Sequence, residues 1–78
     1  MSDIIMHNIR ISYDESHERV RNFVKYLQGE NQTEELRAYY EETKRNQDNK
    51  IHLNDKLGNE FTLERTGEHV CELRLRGM

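Results

Sequence analysis

The pattern of apolar residues along this chain predicts an α+β fold in the order β-α-α-β-β-β, with two helices packed on one face of a four-stranded, mostly antiparallel sheet. Three observations carry that expectation. The N-terminal residues alternate apolar and polar, the middle holds two apolar stripes at helical spacing, and the remainder is three short alternating runs separated by turn residues.

Ile4 to Tyr13 reads as the first strand, with Ile9, Ile11 and Tyr13 toward the core and Asn8, Arg10 and Ser12 away from it. "DES" then opens a helix, with Asp14 or Ser16 as its N-cap and Glu15 near the positive end of the dipole. Val20, Phe23, Val24 and Leu27 form one apolar stripe. Gly29 follows two residues later, where helices commonly stop in a left-handed turn. "NQTEELRAYYEETKR" restarts a helix, with Asn31 as cap and Glu34 at the spacing of a capping box. Leu36, Tyr39, Tyr40 and Thr43 make its less polar stripe, and "NQDN" is a polar loop.

The last segment reads as an antiparallel meander. "KIHLN" turns Ile51 and Leu53 inward, Gly58 and Asn59 supply turn chemistry, and "EFTLER" turns Phe61 and Leu63 inward. A second turn is expected around Gly67. "HVCELRLR" then sets Cys71, Leu73 and Leu75 against Glu72, Arg74 and Arg76 on the opposite face. The first strand is expected to pair with the Leu73–Leu75 stretch, because the last strand is the longest and most apolar of the three.

Residues 1–78 make a single domain. Hydrophobic residues are 33% of the chain and charged residues 35%, so the core is thin and self-association into a homodimer is one way to bury more. Twelve basic side chains against 15 acidic ones argue against a nonspecific nucleic-acid coat, which needs clustered Lys and Arg. The single cysteine excludes an intramolecular disulfide and a thiolate zinc cage, and fits a cytoplasmic protein. The N-terminal stretch lacks the apolar run of a signal peptide, and no run reaches the ~20 apolar residues of a membrane span.

Catalytic chemistry finds little foothold. His69 and Cys71, two apart, would share a strand face and offer half of a metal site, but no second pair has ligand spacing. Four glycines form no phosphate-cradling loop, and no motif sets a nucleophile beside a base. No enzyme, metal or cofactor is expected.

Two surfaces invite a macromolecular partner. Residues 30–43 carry Glu30, Glu34, Glu35, Glu41 and Glu42 against Arg37 alone, with Tyr39 and Tyr40 inside the run. Either this is a solvated helix face, or Glu34, Glu35, Tyr39, Glu41 and Glu42 dock a basic surface. Arg10, Arg74 and Arg76 are expected to gather on the open sheet face, with Arg65 near a turn, although Glu64 and Glu72 share that face and can pair with them. The negative charge favours a protein partner over DNA; contact with DNA would run through Asn8, Arg10 and Ser12.

Two families share parts of this order. Residues 7–45 resemble a ribbon-helix-helix repressor: a strand with an exposed polar row, a helix, a glycine turn and a second helix, with Gly29 to Arg37 matching the turn and second-helix start. The resemblance implies a DNA-binding homodimer that reads bases with Asn8, Arg10 and Ser12. Tyr39 and Tyr40 depart from the small and aliphatic residues of that family, and three C-terminal strands are additional. The element order is also similar to RelE/ParE-type toxins, which implies RNA cleavage through Arg65, Arg74 and Arg76; the chain is shorter and more acidic than that family.

Overall fold

The computed structural model describes residues 2–76 and has two layers, a pair of helices on one face of a five-stranded mixed sheet. The strands are β1 (Ser2–Met6), β2 (Ile9–Tyr13), β3 (Lys50–Asn54), β4 (Glu60–Gly67) and β5 (Val70–Leu75). The helices are α1 (Glu18–Leu27) and α2 (Thr33–Arg45), joined through a 3-10 turn at Glu30–Gln32. Across the sheet the order is β1-β2-β5-β4-β3.

The expected first strand is two strands. His7 and Asn8 both have positive φ, 52° and 67°, which folds the run back as a two-residue hairpin of the primed type. Ile4 then pairs with Ile11 and Met6 with Ile9. The sheet therefore has five strands rather than four.

The expected pairing of the first run with the last strand holds for β2, and it is parallel: Arg10 faces Val70, Ile11 faces Cys71 and Tyr13 faces Leu73. The long connection that a parallel pair requires runs through both helices to β3 at the far edge and returns by way of β4. Remaining neighbours are antiparallel, β1 with β2, β5 with β4, and β4 with β3. Strand β2 thus has a neighbour on each side within its own chain. The two-fold strand ribbon of a ribbon-helix-helix dimer finds no free edge on it.

The core lies between the layers. Ile9, Ile11, Phe61, Leu63, Cys71 and Leu73 from the sheet meet Val20, Phe23, Val24 and Leu27 of α1 and Leu36 and Tyr40 of α2, all buried. Phe23 and Phe61 stack with centroids 4.5 Å apart, which ties α1 to the start of β4. Thr43, fully buried, donates its hydroxyl to the Tyr40 carbonyl one turn back.

Local chemistry departs from expectation at the helix ends. Neither Asp14 nor Ser16 caps α1: His17 occupies the cap position without a side-chain bond, and Asp14 instead accepts the Ser16 amide and hydroxyl to tighten the preceding turn. Gln32, not Asn31, precedes α2, because the 3-10 turn takes up Glu30 to Gln32. Gly29 is extended (φ −61°, ψ 145°) rather than left-handed. The α1 terminus is closed from a distance: His7 Nε2 donates to the Leu27 carbonyl at 2.9 Å while its Nδ1 meets the Thr33 hydroxyl at 3.0 Å. One hairpin residue thereby ties both helices to the sheet.

Gly58 supplies the β3–β4 turn at φ 85°, as expected. The last turn lies later than expected. Gly67 belongs to β4, beside a bulge at Arg65–Gly67, and Glu68–His69 make the turn. His69 (φ 58°) therefore does not share a strand face with Cys71; its ring stacks on Tyr40 and its amide donates to the Tyr40 hydroxyl at 2.7 Å.

Candidate functional site

A cleft of about 370 Å³ opens where α1 and α2 meet the β3–β4 turn. Phe23 and Tyr26 enter from α1, Glu35 and Tyr39 from α2, and Asn54 to Leu57 from the turn. Helical spacing explains the aromatic wall. Phe23 and Tyr26 are three residues apart on α1 and stack at 6.0 Å, while Glu35 and Tyr39 are four apart on α2.

One carboxylate links the two helices. Glu35 accepts the Tyr26 hydroxyl at 2.8 Å on one oxygen and the Tyr39 hydroxyl at 2.9 Å on the other. Burial, and then the bond to Glu35, holds the Tyr39 phenol well above the ordinary tyrosine range. Tyr26 is raised also, first by its bond to Glu35. Both phenols stay neutral donors, so the wall is rigid and presents ring surface to the cleft.

The turn opposite is fixed by Asp55. Its carboxylate accepts the amides of Leu57 and Asn59, at 2.9 and 2.8 Å, and the Asn59 side-chain amide at 2.9 Å. Those bonds lower the Asp55 carboxyl below the usual range, the Asn59 side chain contributing most. They also hold Leu57 out at the rim with 83% of its surface exposed. Tyr26 and Leu57 are two of the three exposed large hydrophobic residues among those described, and both line this cleft. The third is Ile5, on the helix-free face of β1.

Of the acidic-helix candidates, Glu35 and Tyr39 lie in the cleft wall, and Glu42 is near enough to Tyr39 to raise its phenol further. Glu34 and Glu41 are exposed elsewhere on α2, and Glu41 pairs with Lys44 at 3.7 Å. Sequence reasoning missed Tyr26, Asn54, Lys56 and Leu57. Tyr26 stands three residues after Phe23 at the margin of the α1 stripe, which is the signal that marks it.

The expected arginine cluster does not form. Parallel pairing puts Arg10 opposite Val70, four residues along β5 from Arg74, or about 13 Å. Arg74 lies on the open face, but its Nη1 is held by Glu72 at 2.8 Å and Glu64 at 3.0 Å. Arg76 is exposed at the end of β5. Alternation along β4 sets Arg65 on the helix side with Phe61 and Leu63, where it bonds the Asn49 side chain at 2.9 Å. Among the DNA candidates, Asn8 is a hairpin residue, Ser12 donates to Asp3 at 2.6 Å, and Arg10 is exposed.

Cys71 is fully buried, and burial pushes its thiol up to about 11, with Arg65 pulling the other way. A protonated, enclosed thiol is not a nucleophile at neutral pH. Among the described residues no group of three or more His, Cys, Asp or Glu is placed to hold a metal ion, and no helix is long and apolar enough to cross a membrane. No family model, curated protein or solved structure matches the chain.

Proposed function

We propose that this is a small, non-catalytic cytoplasmic binding or regulatory protein that acts through a protein–protein contact at the aromatic cleft. The partner it fits is an extended segment with one apolar side chain for the cleft and lysine or arginine on either side. The observation that carries this reading is the gathering of Tyr26 and Leu57, exposed apolar groups, around one cleft of about 370 Å³. Anchoring aromatic and aliphatic groups in a pocket is how interfaces gain most of their affinity.

Charge favours a basic partner. Glu35 and Glu42 flank Tyr39 on α2 and Asp55 stands across from them, against Lys56 alone on the turn. The arginine-bearing sheet face gives less support than the acidic helix, because Arg74 is already engaged by two glutamates. That engagement weakens the RNA-cleaving reading too, and the double-sided pairing of β2 weakens the DNA-reading one.

A displayed random-peptide library tests the proposal. It is expected to enrich sequences with one aromatic or long aliphatic residue flanked by Lys or Arg. Leu57→Ser and Tyr26→Ala should each weaken a selected peptide at least about tenfold, with unfolding curves unchanged for Leu57→Ser. Absence of such enrichment, or binding that ignores Leu57→Ser, rejects the reading.

A further inference from the structure

The two edges of the sheet are unlike. On β3 the loop before the strand covers the first residue of the edge: the Lys50 amide donates to Asp48 at 3.1 Å, and the Lys50 carbonyl accepts from the Asn46 side chain at 2.6 Å. A charged residue and side-chain bonds of this kind protect an edge from pairing. Strand β1, "SDIIM", has no proline, no lysine and no bulge, and Ile5 stands 66% exposed on its helix-free face.

Which backbone groups β1 offers follows from the hairpin. The Arg10 amide donates to the His69 carbonyl at 2.8 Å, away from β1. Its partner in register is Ile5, so these two form a non-hydrogen-bonded pair, and Ile5 turns its own N–H and C=O to the free edge. Asp3, two residues earlier, does the same. Met6, Ile4 and Ser2 spend theirs on β2.

We infer that β1 pairs antiparallel with β1 of a second copy, joining two sheets into one of ten strands. This surface is distinct from the cleft and independent of its role. The two-fold axis passes at Ile4, which sets Asp3 of each copy opposite Ile5 of the other. All four outward groups of each strand's Asp3 and Ile5 are then used, for four backbone hydrogen bonds. An axis at Ile5 would instead oppose Asp3 to His7, whose positive φ ends the strand, and would keep only the central pair.

Charge agrees with the chosen register. On the open face the row reads Arg10, Ile5, Asp3 of the second copy, Ser12 of the second copy. Arg10 has no carboxylate within ion-pair distance among the described residues. It would lay its stem over Ile5 and reach the second copy's Asp3, two strand spacings or about 10 Å away between backbones. On the helix side the two half-buried Ile4 side chains meet as a close, non-hydrogen-bonded pair and extend the core.

Sedimentation equilibrium up to about 1 mM is expected to give a reversible dimer. Ile5→Pro removes an amide that only the second copy uses, so dimerisation should weaken at least about tenfold while the monomer keeps its circular dichroism. Should that variant fail to fold, charge exchange decides. Arg10→Asp should weaken the dimer, and adding Asp3→Arg should restore it. Ile4→Cys should form an intermolecular disulfide under mild oxidation, since a non-hydrogen-bonded pair brings Cβ atoms within reach. A wild type monomeric at about 1 mM, a folded Ile5→Pro that dimerises normally, or charge exchange without restoration overturns the inference. Cross-linking through Ile5→Cys in place of Ile4→Cys overturns the register.

Discussion

His7 offers the sharpest test of how the layers are held. Its ring reaches from the β1–β2 turn to the last carbonyl of α1 and to the first residue of α2, with hydrogen bonds of 2.9 and 3.0 Å. The Leu27 carbonyl is one of those a helix end leaves without an internal partner. In the neutral ring Nε2 donates to it, which leaves Nδ1 to accept the single Thr33 hydroxyl proton in competition with the Glu30 carbonyl, also 3.0 Å from that hydroxyl. Each such bond contributes about 0.5–1.5 kcal/mol net, so His7→Ala should cost about 1–3 kcal/mol. His7→Gly loses the same bonds but relieves a φ of 52°, which a side chain holds at a cost of about 1 kcal/mol. Glycine should therefore be the milder replacement by roughly that amount. Thr33→Val removes one of the two bonds and should fall between wild type and His7→Ala. Urea unfolding of the four proteins measures all three differences. A His7→Ala loss below about 0.5 kcal/mol would show that water replaces the ring freely. A glycine variant less stable than the alanine variant would refute the backbone argument.

Three further outcomes follow from charge and burial. Cys71 should resist alkylation at pH 7.5 in the folded protein and react promptly in urea. Its folded thiol holds its proton up to about 11 against an ordinary 9.0, so the folded state binds more protons between those values. Its contribution is complete below about 9 and is lost as pH rises toward 11; stability independent of pH across that window, after correction for other groups, would refute the burial. Removing Arg74 leaves Glu64 directly opposite Glu72, so Arg74→Ala should destabilise by about 0.5–1 kcal/mol and more at low salt; equal losses at low and high salt would contradict an ionic origin. Glu35→Gln should bring phenolate absorbance of Tyr39 to lower pH without restoring the ordinary range, since burial is the larger cause. An unchanged titration would mean that Glu35 does not hold the hydroxyl.

Much of the architecture is written in spacing. The stripes of both helices, the inward residues of β3, β4 and β5, and the turn at Gly58 all follow from periods of 3.6 and 2. The break at His7–Asn8 was legible too, in a signal easily read through. Inward residues are even-numbered at Ile4 and Met6 and odd-numbered from Ile9 onward, and a two-residue turn is what shifts that phase. Helix caps misled because Asp14 binds Ser16 in the turn before α1 and Asn31 falls inside the 3-10 turn, a local choice that propensity does not resolve. The direction of the β2–β5 pairing has no signature in either strand, and the arginine cluster failed with it. The cleft was only partly visible, since its walls come from three stretches that meet only through the packing of α1 and α2 on the sheet.

The placement of exposed apolar surface connects the two proposed contacts. With only a third of its residues hydrophobic, the chain nevertheless leaves Ile5, Tyr26 and Leu57 in solvent. Glu64, Glu72 and Arg74 on the open face are paired with one another, so that part of the face draws little toward itself. Ile5 lies on β1, whereas Leu57 follows β3, and these strands are the opposite edges of the sheet. Dimerisation through β1 would consequently leave both clefts open at the outer ends of the ten-stranded sheet. Two identical sites held at fixed separation bind a repeated or surface-displayed segment far more tightly than one, by raising the effective concentration of the second. A selected peptide should then bind wild type and Ile5→Pro equally in free solution. On a densely coated surface the wild type alone should show slow release. Equal release from the dense surface would mean that the two contacts do not operate together.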